Sequence, residues 1–210
     1  MDRLQWNKYF DEKYYTNLNY PFKQKAKFKN NIYQRGNGYK LIFDTLLQKK
    51  IENFNIVETG TCRNLSWSDG QSTILFADFV EKFGGTVQTV DISSEAVLLS
   101  KKLLKGKKVT VNLGDSISWL SNIDKNDIDL FFLDSFDVKW KNDEPSATHH
   151  LNEFFEIEPY LPGSILAIDD NVKSKTSNER AGKGRLIYEY LLSKNIKPIY
   201  DEYIIVYNFT

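Results

Sequence analysis

Five short apolar runs in the sequence end on carboxylate side chains, which are candidates for ligand binding. The runs read VETG, TVDIS, NLGDS, FFLDS and AIDDN, and their acids are Glu58, Asp91, Asp115, Asp134 and the pair Asp169–Asp170. A carboxylate can accept hydrogen bonds from both hydroxyls of a ribose, or bind a hard divalent cation. Helix capping explains Asp115, which directly precedes a predicted helix, but it does not explain all five. The series therefore predicts a ligand site at the ends of these runs.

The elements that must position these acids alternate between strands and helices, which is typical of an α/β fold with a parallel sheet. The runs IDLFFLD and SILAIDD are apolar up to their acids, as expected for central strands. The last two predicted strands are so close in sequence that we expect an antiparallel pair at a sheet edge. The predicted strands are Phe54–Glu58, Thr86–Asp91, Val109–Leu113, Ile128–Leu133, Ser164–Ile168, Lys197–Asp201 and Tyr203–Phe209. The predicted helices are Gln71–Phe83, Ser94–Leu104, Ser116–Ile123, Pro145–Tyr160 and Gly182–Ser193.

Several of these positions suit a nucleoside. In an open parallel sheet, ligands bind beyond the carboxyl ends of the strands. Gly60 suits a turn where the chain approaches a ligand closely, because glycine tolerates backbone angles that a side chain forbids. Asp91 is placed to accept ribose hydroxyls, and Asp115 with Ser116 follows the third strand. Together they predict a nucleoside site, with one position for the acidic end of the ligand, one for its ribose and one for its base.

The composition is that of an ordinary globular domain. The chain has 210 residues, of which 41% are hydrophobic, and its 28 basic residues balance 28 acidic ones. A net charge of zero favours neither nucleic acid nor an anionic membrane as partner. We expect a cytoplasmic protein, since the sequence has no apolar run long enough for a membrane helix or a signal core. Cys62 is the sole cysteine, which excludes an internal disulfide, and homodimerisation is left open.

The first 35 residues differ from the rest because they are rich in aromatic residues and lysine without a sustained period. We divide the chain into an N-terminal arm, residues 1–35, and a ligand-binding domain, residues 36–210. Two interpretations of the arm stay open: it packs on the domain, or it forms a cap that contacts the substrate. The lysines at positions 23, 25, 27 and 29 are interpreted as a solvated face.

The motifs IVETGTCRNLSWSDGQST, VQTVDIS, VNLGDS, IDLFFLDS and LPGSILAIDDN, in this order and spacing, resemble those of class I S-adenosylmethionine-dependent methyltransferases. They are most similar to small-molecule O-methyltransferases of the catechol and caffeoyl-coenzyme A type, over about residues 36–209. The resemblance implies a Rossmann-like, doubly wound, seven-stranded and mostly parallel sheet with a reversed last strand. It also implies methyl transfer from S-adenosylmethionine to an oxygen of a small hydroxylated molecule.

The resemblance assigns cofactor contacts to individual residues. It implies that the methionine part lies against Glu58 and Gly60, the ribose on Asp91, adenine between Asp115 and Ser116, and the sulfonium beside Asp134. Gly70, Gln71 and Ser72 resemble the second half of the first motif, displaced by an insertion. Residues 61–69 would then bulge over the cofactor, with Trp67 either packed or placed against adenine or substrate.

The resemblance also implies a site for Mg²⁺ or another divalent cation, formed by Asp134, Asp170 and Asn171. All three offer oxygen ligands, which suit a hard cation. The alternative is that Asp169 or Asp170 caps the segment that follows.

The catalytic base is where this sequence departs from the catechol and caffeoyl-coenzyme A type of O-methyltransferase that it resembles. Its catalytic lysine would fall near position 137, where this chain has Asp137. Asp137 could join the ion site, Lys139 or Lys141 could substitute, or a histidine could act as the base. Of the two histidines, we favour His150 over His149 as the one facing the pocket. The predicted catalytic residues are Asp134, Asp137 and His150.

Two other function classes stay open. A non-catalytic nucleoside-binding module would explain the missing lysine, although the retained acids oppose it. A nicotinamide-dependent oxidoreductase would also use Asp91 on a ribose. The absence of a close second glycine after Gly60 counts against this last class.

Overall fold

The computed structural model describes residues 1–21, 32–50, 52–65, 71–174 and 179–210, with only the backbone at positions 20, 21 and 32–34. The strands in these ranges are β1 (Asn19–Pro21), β2 (Ile32–Gln34), β3 (Phe54–Thr59), β4 (Gly85–Asp91), β5 (Val109–Leu113), β6 (Leu130–Leu133), β7 (Ile165–Ile168), β8 (Asn171–Lys173), β9 (Arg180–Gly182), β10 (Tyr200–Asp201) and β11 (Ile205–Asn208). The α-helices are α1 (Arg3–Phe10), α2 (Thr16–Leu18), α3 (Arg35–Lys49), α4 (Ser72–Phe83), α5 (Ser94–Leu103), α6 (Ser116–Asn122), α7 (Glu144–Ile157) and α8 (Arg185–Ser193). A π-helical turn, Asp11–Tyr15, joins α1 to α2, and a 3-10 turn, Glu158–Tyr160, follows α7.

Seven strands form the central sheet in the order β10–β11–β7–β6–β3–β4–β5. All neighbouring pairs are parallel except those made by β11, which runs antiparallel to both β7 and β10. This arrangement confirms the predicted α/β fold with a mostly parallel seven-stranded sheet and a reversed last strand. The predicted antiparallel pair is also present, with β10 rather than β11 at the sheet edge.

The sheet buries both of its faces, as its apolar strands predict. In β3, Ile56 belongs to one hydrophobic core and Val57 to the other, because successive side chains point to opposite faces. The first core includes residues of α1, α3 and α4, and the second includes residues of α6, α7 and α8. The result is a three-layer domain in which the carboxyl ends of the five parallel strands lie at the same edge of the sheet.

The N-terminal segment contains helices that the sequence analysis did not predict. Trp6, Phe10, Tyr14 and Leu18 recur at intervals of four residues, and all four are buried in the first core. This spacing is a helical stripe, and it corresponds to the packed-arm interpretation for these residues. The four lysines at positions 23–29 lie outside the described residues.

Helix α3 is also absent from the predicted elements, although its buried residues follow helical spacing. It packs so closely on the turn before β11 that a Cβ atom at Gly38 would lie 2.9 Å from Cβ of Ile204. Among the described residues, no helix combines the length and the apolar character needed to cross a membrane.

Candidate functional site

The carboxyl ends of the parallel strands meet at one edge of the sheet, where the chain order reverses beside β3. From β3 the chain adds β4 and β5 on one side, and it then returns to place β6 and β7 on the other. Loops that leave β3 and β6 in opposite directions open a crevice at this point, which is the usual ligand position in such sheets. The predicted acids lie along this edge.

The turn after β3 requires glycine at Gly60. Its φ is +83°, and a Cβ atom there would lie 2.5 Å from the carbonyl oxygen of Asp134. The turn therefore packs directly on the end of β6. The next residue, Thr61, donates its backbone N–H to Oδ2 of Asp91 at 3.1 Å, while the N–H of Ser93 donates to Oδ1 at 2.8 Å. Two backbone donors thus fix the orientation of the Asp91 carboxylate.

A cavity of about 220 Å³ opens beside Asp91. Its lining consists of Val90, Asp91, Ile92, Gly114, Asp115, Ser116, Ser135, Phe136 and His149. Asp115 caps α6, since its Oδ1 accepts from the N–H of Ser118 at 2.9 Å, so it has the expected capping role while also lining the cavity. Apolar walls with a few fixed polar groups are typical of a small-molecule pocket.

A buried carboxylate that the sequence analysis missed, Glu153 in α7, supports one wall of the cavity. Its Oε1 accepts from Oγ of Ser135 at 2.6 Å and lies 3.4 Å from Nε2 of His149. That same ring nitrogen is 2.9 Å from Oγ of Ser116. Burial alone would raise the pKa of Glu153, but His150 and hydrogen bonds from His149, Ser116 and Ser135 lower it to about 2. The signal in the sequence is the spacing of His149 and Glu153, which are one helical turn apart.

The two histidines occupy different environments. His149 lines the cavity, and its ring packs 5.3 Å from that of Phe136. His150 is fully buried in the core side of α7, where its Nδ1 donates to the carbonyl oxygen of Ser146 at 2.7 Å. Burial lowers the pKa of His150 to about 4. The helix therefore presents His149 to the cavity, whereas the spacing had favoured His150.

Glu58 lies beneath the turn after β3 and is fully buried. Its Oε2 accepts from Oγ1 of Thr73 at 2.7 Å, whereas Oε1 has no hydrogen-bond partner among the described residues. Burial raises the pKa of Glu58 to about 7, against hydrogen bonds from Ser72, Thr73 and Thr89. Ser72 opens α4 next to this carboxylate, while Gly70 and Trp67 lie outside the described residues.

Three acids at the ends of β6 and β7 form a buried cluster with two cations. Lys183 pairs with Oδ1 of Asp134 and lies 2.9 Å from Oδ2 of Asp170. Arg35 binds Asp169 at 2.9 Å through Nε and Asp170 at 3.0 Å through Nη2. Burial, aided by Asp169 and Asp170, holds the pKa of Asp134 well above its usual range, although Lys183 opposes this shift. For Asp170, Lys183 and Arg35 outweigh burial and hold its pKa below the usual range.

The residues predicted as metal ligands do not fit a divalent cation in this geometry. The ammonium of Lys183 already lies between Asp134 and Asp170. The amide of Asn171 is used by the backbone: Oδ1 accepts from the N–H of Gly184 at 2.7 Å, and Nδ2 donates to the carbonyl oxygens of Ile168 and Asp169. Within the described ranges, no group of three histidine, cysteine, aspartate or glutamate side chains is arranged to hold a metal ion.

Asp137, the other predicted catalytic residue, lies apart from this cluster's ion pairs. Its side chain is 67% exposed and pairs with Nη1 of Arg63 at 2.7 Å. The structure therefore brings together Glu58, Gly60, Asp91 and Asp134 around the crevice, with Asp137 at the surface.

Comparisons with known proteins relate the chain to solved structures only. No protein-family model matches it, and no curated protein does. MycE methyltransferase from the mycinamycin biosynthetic pathway, in complex with Mg and SAH, superposes with a TM-score of 0.54 at 13% identity, covering 84% of this chain and 49% of that one. The chain thus spans about half the length of MycE.

Two further structures match over nearly their whole length. A proposed methyltransferase from Streptococcus mutans in complex with SAH has a TM-score of 0.50 at 13% identity, covering 79% of this chain and 94% of that one. A proposed RNA methyltransferase from Pyrococcus horikoshii has a TM-score of 0.50 at 13% identity, covering 98% and 94%. At these identities, the likeness is one of fold.

Proposed function

We propose that the protein is an S-adenosylmethionine-dependent methyltransferase that acts on an oxygen of a small hydroxylated molecule. The observation that carries the proposal is the Asp91 carboxylate. Two backbone N–H groups hold it at the mouth of a cavity whose other lining includes Asp115 and Ser116. An anchored acceptor for two hydroxyls next to a partly apolar cavity suits the ribose and base of a nucleoside.

The remaining contacts of the cofactor follow from the order of the residues along the edge. Its methionine end would lie by Gly60 and the buried Glu58, and its sulfur would lie near Asp134 at the end of β6. When bound, S-adenosylmethionine supplies a methyl group activated by a positively charged sulfur. Two of the structural neighbours, MycE and the Streptococcus mutans protein, contain SAH and support this choice of cofactor.

A small-molecule acceptor is favoured over RNA, although one neighbour is described as a proposed RNA methyltransferase. Binding to a nucleic acid depends on neutralising phosphates with lysine and arginine, and this chain has as many acidic residues as basic ones. MycE, a methyltransferase from the mycinamycin biosynthetic pathway, supports the small-molecule choice.

Asp134 is our candidate for the group that receives the proton of the acceptor hydroxyl. It lies against the Gly60 turn, its Oδ1 is held by Lys183, and its side chain is 15% exposed. A carboxylate with one oxygen fixed and its pKa raised by burial is a stronger base than an ordinary aspartate. Asp134 would hold the proton after transfer, and the fixed turn would keep acceptor and cofactor aligned.

Calorimetry with S-adenosylhomocysteine and, separately, with NAD tests the proposal. We expect S-adenosylhomocysteine to bind and NAD not to bind. Asp91→Ala should weaken S-adenosylhomocysteine binding by well over tenfold, because loss of a charged acceptor for two hydroxyls costs about 2–3 kcal/mol. The matched control is Asp124→Ala, an exposed acid before the amino end of β6, which should keep wild-type affinity. Wild-type affinity in Asp91→Ala, or binding of NAD alone, would refute the assignment.

The acceptor class is tested separately with methyl-labelled S-adenosylmethionine. Label should appear on members of a panel of hydroxylated small molecules and not on total RNA. Label on RNA alone would overturn the small-molecule part and leave the cofactor assignment intact.

A further inference from the structure

Lys183 directs its whole hydrogen-bonding capacity at two residues. Its Nζ donates to Oδ1 of Asp134, lies 3.3 Å from the carbonyl oxygen of Asp134, and lies 2.9 Å from Oδ2 of Asp170. An ammonium group has three N–H donors, and these are three acceptors. The side chain is 1% exposed, so water does not compete for these contacts. The lysine therefore bridges the two carboxylates in the way that a cation ligated by both would do.

The chain builds this position through close backbone contacts. Gly182 has a φ of +121°, and a Cβ atom there would lie 2.1 Å from the carbonyl oxygen of Asp170, so only glycine fits. In the β8–β9 pair, Gly182 is opposite Asn171, and the side-chain oxygen of Asn171 accepts from the N–H of Gly184. Both neighbours of Lys183 are thereby fixed against the segment that carries Asp170. Asn171 thus holds the lysine in place from the backbone side.

The charges of the cluster leave no place for a divalent ion in addition to its two cations, Lys183 and Arg35. With all three carboxylates ionised, Asp134, Asp169 and Asp170 carry three negative charges, and Lys183 and Arg35 carry two positive ones. The cluster then has a net charge of −1, and adding a divalent ion would reverse its sign. Without Lys183 the net charge would be −2, which a divalent ion would neutralise. Facing carboxylates need a counter-charge when buried, and here the chain supplies it.

We propose that Lys183 is a built-in cation that replaces a divalent metal ion at this site, positioning Asp134 and Asp170 for the transfer. The inference rests on the proposed function, which makes this cluster part of the methyl-transfer site. Lys183 acts through Asp134 rather than on the acceptor itself. An ammonium with its three donors in use cannot chelate an acceptor through two adjacent oxygens, as a metal ion would. The acceptor therefore needs one reactive hydroxyl, and a vicinal pair of oxygens gives it no advantage.

Titration with Mn²⁺, followed by electron paramagnetic resonance, tests the inference without an acceptor. The wild-type protein should show no stoichiometric Mn²⁺ binding. In Lys183→Ala, the uncovered carboxylates should bind one Mn²⁺ per chain at least about 100-fold more tightly than in wild type, because a positive charge within about 4 Å is removed. Lys183→Ala combined with Asp134→Asn should lose that binding again. A purely structural role for the lysine predicts no gain of metal binding.

The matched control is Lys125→Ala. Lys125 is another buried lysine, but its Nζ donates to the carbonyl oxygen of Leu120 rather than joining carboxylates. Its removal should create no Mn²⁺ site. Lys183→Ser provides a second small variant if the alanine variant does not fold.

The outcomes separate this inference from the proposed function. The inference would be overturned if the wild type bound Mn²⁺ stoichiometrically and Asp134→Asn did not. This comparison does not depend on a lysine variant. Folded Lys183→Ala and Lys183→Ser proteins that bind no Mn²⁺ would also overturn it, since the two carboxylates would then not form a cation site. Failure of the wild type to bind S-adenosylhomocysteine would instead refute the proposed function, whatever the Mn²⁺ result.

Discussion

Acid should destabilise the protein through His150. This residue is fully buried, and within the described part of the chain its Nε2 has no hydrogen-bond partner. Burial lowers its pKa in the folded protein to about 4, whereas the ordinary value in an unfolded chain is about 6.5. Between these two values the unfolded chain binds a proton that the folded protein does not. The contribution of His150 is therefore complete above about pH 6.5 and is lost as the pH falls towards 4.

The size of the effect follows from the shift. About 2.5 pH units at about 1.4 kcal/mol per unit give about 3.5 kcal/mol, most of which should be lost by about pH 4.5. The charged and titratable groups that face His150 are Glu153, which raises its pKa, and Lys183 and His149, which lower it. Burial opposes the charged forms of Glu153 and Lys183, but His150 itself and hydrogen bonds from His149, Ser116 and Ser135 lower the pKa of Glu153 to about 2, and the carboxylates of Asp134 and Asp170 raise that of Lys183. Glu58 has the opposite effect on stability. Burial raises its pKa in the folded protein to about 7, so on acidification the folded protein binds this proton before the unfolded chain does, and stability rises.

We therefore compare the free energy of unfolding of wild type with that of His150→Asn. The contribution of Glu58 is the same in both proteins and cancels in the difference. Urea unfolding from about pH 7 to about pH 4.5 should show that the stability advantage of wild type shrinks by about 2–3 kcal/mol. Asn152→Ala, at an exposed and uncharged position of the same helix, should retain the wild-type dependence. Parallel curves for wild type and His150→Asn would refute the buried, neutral state of His150.

Two further substitutions test the turn after β3 and the N-terminal packing. Gly60→Ala should lower both stability and S-adenosylhomocysteine affinity, because it forces a left-handed residue, at about 1–2 kcal/mol, and a contact of 2.5 Å with Asp134. Gly106→Ala is the control, because Gly106 also has a left-handed φ of +81° but no atom lies within 4 Å of an added Cβ atom. It should show only the cost of the left-handed conformation, and equal losses of stability in both variants would contradict a role for the contact with Asp134. Trp6→Ala should cost about 3–5 kcal/mol in thermal or chemical unfolding, since Trp6 is fully buried. Leu4→Ala, on the exposed side of the same helix, should change little, and a small effect of Trp6→Ala would show that α1 is only loosely attached.

The fold and one half of the site could be predicted because their signals are local. Apolar runs that end on acids identify the strands and their carboxyl ends, and the parallel sheet then brings those ends together. Asp91 and Gly60 were placed correctly at the edge by this argument alone. The helices α1 and α3 were missed even though Trp6 and Phe10 begin a regular stripe, because the surrounding lysines and asparagines obscured its period.

The other half of the site depends on pairing between distant residues. Lys183 is 49 positions from Asp134, and Arg35 is 134 positions from Asp169, so no spacing rule connects them. A metal ion was predicted between the carboxylates because the sequence showed the acids and not the lysine that reaches them. The choice between His149 and His150 turned on which face of α7 meets the sheet, which the packing of the helix decides.

The close fit of Gly38 against Ile204 has a consequence for the order in which the protein folds. Helix α3 is synthesised before the β10–β11 hairpin that packs on it, and this hairpin follows every other strand in the described part of the chain. Contacts of such long range form late, because the intervening chain must first be brought together. During synthesis the face of α3 that carries Gly38 must therefore wait for Ile204 and β11. A nascent chain that stops short of this hairpin would present an incomplete core to chaperones and proteases.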